Sequence, residues 1–301
     1  MIFNFALSAA ALAAVAGTPA VPQPFSPDMV LEAQILLDRN HHSPGVIDGR
    51  QGSNTRRAIR AFEMAEGLST DGKLDAEVMK RLRASSSEPL LVDYTIIEED
   101  ISKLVDVPDG MEAQAALDHL GFETAAEALA EKFHMSQAFL ERLNPNATFA
   151  AGDAIKVVRP GKNELGSKVA RIEVDKRRSE VRAFNEDGKL LASYPGTIGS
   201  DRFPSPDGSM EVRAVAPAPT YYFDPSGRDW GPEKRLTIAA GPNNPVGGTW
   251  IDLTKEGYGI HGSPDPRLIG KTASHGCVRL TNWDAAELGG AVDQGTTVTF
   301  T

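Results

Sequence analysis

From Lys168 onward the chain alternates apolar and polar residues in short runs broken by glycine and proline, and no other feature narrows its fold as much. Val169-Ala170-Arg171-Ile172-Glu173-Val174 and Glu180-Val181-Arg182-Ala183-Phe184 carry the period of two that puts every second side chain on one face of a sheet. Asn185-Glu186-Asp187-Gly188 is a hairpin turn, which makes Lys189 to Tyr194 a third strand. A mainly β domain with long loops is expected over residues 165–301.

The preceding residues read as two further units. Ala84-Ser85-Ser86-Ser87-Glu88-Pro89 and Arg159-Pro160-Gly161 are linkers by composition, giving units at 24–84 and 90–160. Charge supports the division. Residues 24–84 hold nine acidic and nine basic side chains, 88–160 fourteen and five, and 161–301 eighteen and seventeen. Nearly all of the net charge of −10 therefore falls in the middle unit, where it reads as a solvated face.

In the first unit, Val30, Ala33, Ile35, Leu36 and Leu37 form the apolar face of a helix from Asp28. A second helix, capped by Asn54 or Thr55, carries Ala58, Ile59, Phe62 and Ala65 at helical spacing and ends at Gly67. Asp75 caps a third, with Val78, Met79 and Leu82 inward. The middle unit reads strand, helix, helix, strand: Tyr94-Thr95-Ile96-Ile97, a long amphipathic region from about Glu112 to Phe133, a helix around Met135 to Leu140, and a strand in Gly152 to Val158.

The first 25 residues carry no Lys, Arg, Asp or Glu. The apolar run Ile2 to Ala16 is too short for the roughly 20 residues that span a bilayer. Ala14-Val15-Ala16 before Gly17 fits an export-signal cleavage site, so residues 1–20 are expected to be a signal peptide, without its usual positive charge. Val21 to Pro27, with three prolines, reads as a linker.

Hydrophobic residues at 41% and charged residues at 24% exclude wholesale disorder and a multi-span membrane protein. The acidic balance argues against nucleic acid as a partner. One cysteine, Cys277, excludes an internal disulfide. It sits in Tyr258-Gly259-Ile260-His261-Gly262-Ser263-Pro264 … Ser274-His275-Gly276-Cys277-Val278-Arg279-Leu280. A thiol needs a base to become a nucleophile at neutral pH, and His261 and His275 both stand upstream. Small residues, Gly276 above all, let a carbonyl approach and free backbone N–H groups to face an oxyanion. That is a constellation for acyl transfer through a thioester, with a rate that rises from acidic pH as the Cys–His pair reaches its reactive form. A zinc site would need Asp265 as an unusual fourth ligand, because no second cysteine exists and the other histidines lie in other units.

The run Ile260-His261-Gly262 … Ser274-His275-Gly276-Cys277-Val278-Arg279-Leu280 resembles the active-site motif of L,D-transpeptidases with the YkuD-type catalytic domain. Asp187 to Pro195, Ser205-Pro206-Asp207-Gly208 and Ala240 to Gly247 extend the resemblance over roughly Lys168 to Thr301. Leu36-Leu37, Gly45 to Gly49, Gly52 to Thr55, Ala58, Phe62, Gly67-Leu68 and Asp71-Gly72 resemble the three-helix peptidoglycan-binding domain, which usually has Gln where this chain has Glu63. The middle unit is similar to a LysM module with an insertion between strand and helix, so no glycan-binding residue is assigned in it.

These resemblances imply a multidomain α+β chain: a three-helix peptidoglycan-binding-like bundle, a small LysM-like module and a sandwich-like catalytic domain. Cys277 would be the nucleophile and His261 the general base, oriented by the Gly262 carbonyl; His275 is the rival base. His275, Gly276 and the Cys277 amide would shape the oxyanion site, supported by Ser274. Arg279 would hold a substrate carboxylate or anchor its loop. Tyr258, Ser263 and Trp283 read as packing or loop residues. The implied substrate is a peptidoglycan tetrapeptide stem. D-Alanine leaves, and the acyl group passes to a diaminopimelate amine as a 3→3 cross-link, to a lipoprotein lysine, or to water. The resemblance implies no metal and no cofactor, a periplasmic location and acylation by carbapenems. A carboxypeptidase or endopeptidase on the same scaffold and a non-catalytic wall-binding protein remain the alternatives.

Overall fold

The computed structural model describes residues 27–226 and 228–301, so the expected signal peptide and residues 21–26 of the linker lie outside the described residues. Helices α1 (Pro27–Arg39), α2 (Ser53–Ala65) and α3 (Ala76–Ser85) form the first unit. Leu36, Leu37, Ile59, Phe62, Val78 and Leu82 fill its core. Asp75 caps α3 by accepting from the Val78 amide, and Gly67, at φ +67°, takes the left-handed turn that ends α2. Neither Asn54 nor Thr55 caps α2, because Gly52 stands at that position without a side-chain cap. Thr55 Oγ1 instead accepts from Gln34 Nε2 at 3.1 Å, and Asn54 Nδ2 donates to the Ile269 carbonyl at 2.9 Å. Tertiary partners have claimed both side chains. At the substituted position, buried Glu63 accepts from the Gly72 amide at 2.8 Å.

The middle unit pairs β1 (Leu91–Thr95) antiparallel with β2 (Ala154–Val158). Between them come α4 (Glu98–Ile101), α5 (Met111–Gln114), α6 (Ala125–Lys132) and α7 (Gln137–Leu143). Two expectations need correction. The first strand lies at Leu91–Thr95 and stops before Ile96, and the long helix from Glu112 to Phe133 is two helices with ten residues between them. In that gap Leu120, fully buried, donates its amide to the Ala240 carbonyl at 3.0 Å. Docking on the third unit overrides local helix propensity.

The third unit contains β3 (Arg171–Asp175), β4 (Glu180–Phe184), β5 (Leu190–Pro195), β6 (Gly208–Pro217), β7 (Tyr221–Phe223), β8 (Leu236–Ile238), β9 (Thr249–Leu253), β10 (Gly259–His261), β11 (Val278–Arg279), α8 (Asn282–Ala291) and β12 (Thr297–Phe300). Eight of these strands make one sheet in the order β11-β10-β9-β6-β12-β3-β4-β5, and β7 and β8 form a separate hairpin. The sheet curls until its ends meet. Thr197, just past edge strand β5, exchanges two backbone hydrogen bonds of 2.9 Å with Arg279 in the opposite edge strand. Val181 and Tyr194 from one end therefore share a core with Ile260 and Val278 from the other.

The first unit packs against this sheet. Ala61 and Ala65 of α2 cover Phe184 and Leu190, while Ala58 and Phe62, on another stripe of the helix, face its own bundle. The segment after α1 runs along the β5 edge, with Ser43 donating to the Ser193 carbonyl at 2.8 Å, so that edge is not left open. The middle unit closes the joint. His134 stacks on Trp283 of α8 at 5.0 Å and bonds Asp38 of α1 at 3.0 Å through Nδ1. Among the described residues no helix is long and apolar enough to cross a membrane.

Candidate active site

The seam of the curled sheet carries the cysteine. β10 and β11 run parallel, with Ile260 opposite Val278 and His261 opposite Arg279. Alternation then puts Cys277, His261 and Arg279 on one face, with Ile260 and Val278 buried on the other. The chain crosses between the two strands through residues 262–277, whose short 3₁₀ turn is capped by Asp265.

His261 is buried, and its Nδ1 lies 2.7 Å from the Gly262 carbonyl. That contact makes Nδ1 the protonated nitrogen and leaves Nε2 as the acceptor. Trp250, its partner across β9–β10, stacks on the ring at 5.4 Å. Burial pulls its pKa down to about 4, against the opposing pull of the Gly262 carbonyl. The Cys277 thiol, half-buried and 3.6 Å from the Gly257 carbonyl, is pushed up by burial, with the Gly259 backbone and the Arg279 and Arg228 charges pulling the other way. Both shifts favour neutral forms, so the resting pair is thiol and imidazole rather than thiolate and imidazolium.

His275 occupies a different setting. Its exposed ring stacks on Trp230 at 4.2 Å and against Phe203 at 4.7 Å, where burial and the nearby arginines lower its pKa. The Gly276 amide donates to Ser274 Oγ at 3.1 Å, and Ser274 Oγ donates to the Cys277 carbonyl. Gly276 has φ +112°, and a Cβ there would meet Tyr258 Cε1 at 3.0 Å, so glycine is required. The Arg279 guanidinium makes no hydrogen bond or ion pair among the described residues, and burial lowers its pKa. Tyr258 packs against Gly276, and Trp283 stacks on His134 away from the thiol.

Two residues that sequence reasoning passed over hold this geometry. Ser205 Oγ donates to the Gly276 carbonyl at 2.6 Å and accepts from the Gly199 amide at 3.0 Å. Its place in Ser205-Pro206-Asp207-Gly208 was the available signal. Asn282 Oδ1 accepts from the Gly248 amide at 3.0 Å, and its amide donates to Glu131 at 2.8 Å and the Pro242 carbonyl at 3.2 Å. A Cβ on Gly262 would strike Asn282 Oδ1 at 2.1 Å, so this side chain is packed directly against the turn that orients His261. Nothing in the local sequence marks it.

The zinc alternative does not fit these donors. Asp265, the fourth donor such a site would need, is held by Arg267 through bonds of 3.0 and 2.9 Å. Among the described residues no group of three or more His, Cys, Asp or Glu side chains could hold a metal ion.

Two of the three units are similar to known protein families. Residues 169–300 match the family model of the L,D-transpeptidase catalytic domain, YkuD, and residues 26–82 match that of the peptidoglycan binding domain. A Bacillus licheniformis protein named as the L,D-transpeptidase YkuD is 29% identical over 178 residues, 58% of this chain and 92% of the relative. A Bacillus subtilis protein named as the L,D-transpeptidase YqjB is 30% identical over 133 residues, 42% of this chain and 69% of the relative. A solved L,D-transpeptidase from Mycobacterium smegmatis aligns at TM-score 0.36 and 21% identity over 50% of this chain and 64% of that one.

Proposed function

The chain belongs to the L,D-transpeptidase family, and from that premise we propose that Cys277 is the nucleophile of a thioester mechanism on peptidoglycan stem peptides. The observation that carries the reading is the common face of Cys277, His261 and Arg279, with His261 Nδ1 committed to the Gly262 carbonyl. His261 Nε2 takes the thiol proton as sulfur attacks the carbonyl carbon of the L-to-D peptide bond. The C–N bond breaks, His261 returns the proton to the departing D-alanine amine, and the acyl group stays on Cys277. An acceptor amine then attacks the thioester, its proton passes through His261, and the thiol is restored.

The supporting groups follow from their partners. Because the Gly276 amide is engaged by Ser274 Oγ, the Cys277 amide is the oxyanion donor in this reading. Ser274 and Ser205 fix the loop that presents it. His275, held by Trp230 and Phe203, shapes the site from outside and is not the base. Arg279, whose guanidinium has no hydrogen bond or ion pair among the described residues, holds a substrate carboxylate in this reading rather than anchoring its loop. A 3→3 cross-link is the proposed product, a peptidoglycan-facing periplasm the proposed location, and carbapenems the proposed acylating inhibitors.

Mass spectrometry tests the reading. The protein and its Cys277→Ala variant are incubated with disaccharide-tetrapeptide. A Cys277-dependent dimer lacking one D-alanine is expected. Tripeptide alone would identify a carboxypeptidase. No Cys277-dependent product would overturn the catalytic reading in favour of wall binding.

A further inference from the structure

Residues 262–277, between His261 and Cys277, lie outside the ladder that β10 and β11 make, so the loop has to be held by its neighbours. Its last part is held within the third unit. Ser274 donates its amide to the Ile198 carbonyl at 3.0 Å, and its hydroxyl engages the Gly276 amide and the Cys277 carbonyl. In the middle of the loop, Thr197 Oγ1 donates to the Leu268 carbonyl at 3.2 Å and accepts from the Gly270 amide at 3.0 Å. The backbone of the same Thr197 pairs with Arg279, two residues after Cys277.

A further hold comes from the first unit. Asn54 and Arg57 stand three residues apart at the start of α2 and so share a face of the helix. Buried Asn54 donates Nδ2 to the Ile269 carbonyl at 2.9 Å, and its Oδ1 accepts from Arg57 Nη1. A guanidinium can only donate, so Arg57 fixes which end of the Asn54 amide faces Ile269. Arg57 is itself pinned by the Arg178 carbonyl and reaches the Gly270 carbonyl at 3.4 Å. The fit is close, because a Cβ on Gly270 would strike Asn54 Oδ1 at 2.6 Å. Thr197 and Asn54 thus grip Leu268-Ile269-Gly270 from two different units.

We propose that Asn54, oriented by Arg57, is a positioning residue for the reaction: the first unit holds the loop that sets Cys277 against His261. The assignment rests on the reading above that Cys277 takes the acyl group. It gives the first unit a role inside the catalytic frame, separate from any contact with the wall. Releasing Ile269 leaves a buried carbonyl unpaired and frees the loop that carries Ser274, Gly276 and Cys277. A displaced thiol and oxyanion amide slow the bond-making step and leave ground-state binding as it was.

The test uses the full chain. Asn54→Asp keeps the shape and the Arg57 partner but has no N–H for the Ile269 carbonyl. Asn54→Ser, too short to reach Ile269, takes its place if the aspartate variant does not fold. Release of D-alanine from disaccharide-tetrapeptide gives kcat and KM, and hydrogen exchange reads residues 262–277. The expected result is a kcat about ten-fold lower, the scale of one buried hydrogen bond, with KM within about two-fold and faster exchange in the loop. Val78→Ala, in the core of the same unit on α3, controls for lost stability; its melting temperature should fall while kcat stays within about two-fold. A folded Asn54 variant with the parent's kcat, or an equal loss of kcat in Val78→Ala, overturns the positioning role. A parent that releases no D-alanine overturns the catalytic reading instead. Exchange still decides the hold in that case, and equal protection of the loop in parent and variant overturns it.

Discussion

His261 illustrates what burial does to a catalytic histidine. The Gly262 carbonyl fixes its tautomer, and the surrounding apolar packing keeps it uncharged down to about pH 4. A base must be neutral to accept a proton, so the acid limb of acylation should fall near pH 4 instead of near the ordinary imidazole value. The pH profile of Cys277 acylation, read by intact-protein mass, checks this; a limb near 6.5 would assign the titration to another group. His261→Gln should lower acylation at least about 100-fold, the usual weight of a general base, with the melting temperature little changed. If His261→Gln still acylates at the parent rate, the base lies elsewhere. The sequence alone could not choose between the two histidines. His261 stands sixteen positions before Cys277 and His275 two, yet strand pairing brings the distant one onto the cysteine's face.

α8 shows the same limit one level up. Its start was not marked as functional, yet it carries the cap Thr281, the loop holder Asn282 and the stacking partner Trp283 in succession. Thr281 Oγ1 accepts from the Asp284 amide at 3.2 Å, and the residue is fully buried. Thr281→Ala should cost about 1 kcal/mol of stability in urea unfolding, the typical loss of a helix cap. No change would mean that packing alone holds the helix. Elements whose periodicity serves their own unit were legible: α1, α3 and the β3–β4–β5 meander follow from apolar spacing and from turn residues. Elements shaped by a neighbouring unit were not. The break between α5 and α6 exists because Leu120 bonds the segment at Ala240, and Asn54 leaves the capping role to reach Ile269. Such contacts have no local signature.

Across the whole molecule, the three units meet at a buried polar joint. His134 pairs with Asp38, His41 and Tyr194 both reach Glu287 at 2.7 Å, and Ser43 donates to Asp284 at 3.0 Å. Burial raises Asp284 to about 8, while Asp38 beside His134 and Glu287 beside His41 hold those imidazoles above their ordinary value. A group raised on folding binds its proton more tightly in the folded state, so stability falls as pH climbs from the unfolded to the folded pKa. His42 and His261, lowered to about 3 and 4, are neutral in both states above pH 6.5 and add little slope there. Stability should therefore drop between pH 6.5 and 8, with Asp284 alone accounting for roughly 2 kcal/mol. Melting temperatures across that range check it, and Asp284→Asn should flatten the curve; a rise toward pH 8 would contradict the joint's assigned protonation.

The position of β12 carries a consequence of timing. Thr297–Phe300 follows every other strand along the chain yet lies inside the sheet, paired to β3 on one side and to β6 on the other. During synthesis both halves of the sheet emerge with a gap between them. The thiol and imidazole sit on the half that this last strand joins to β3. Loss of β12 would therefore leave Cys277 and His261 on strands cut off from β3, β4 and β5 inside the sheet, and held to them across the seam at Thr197 and Arg279.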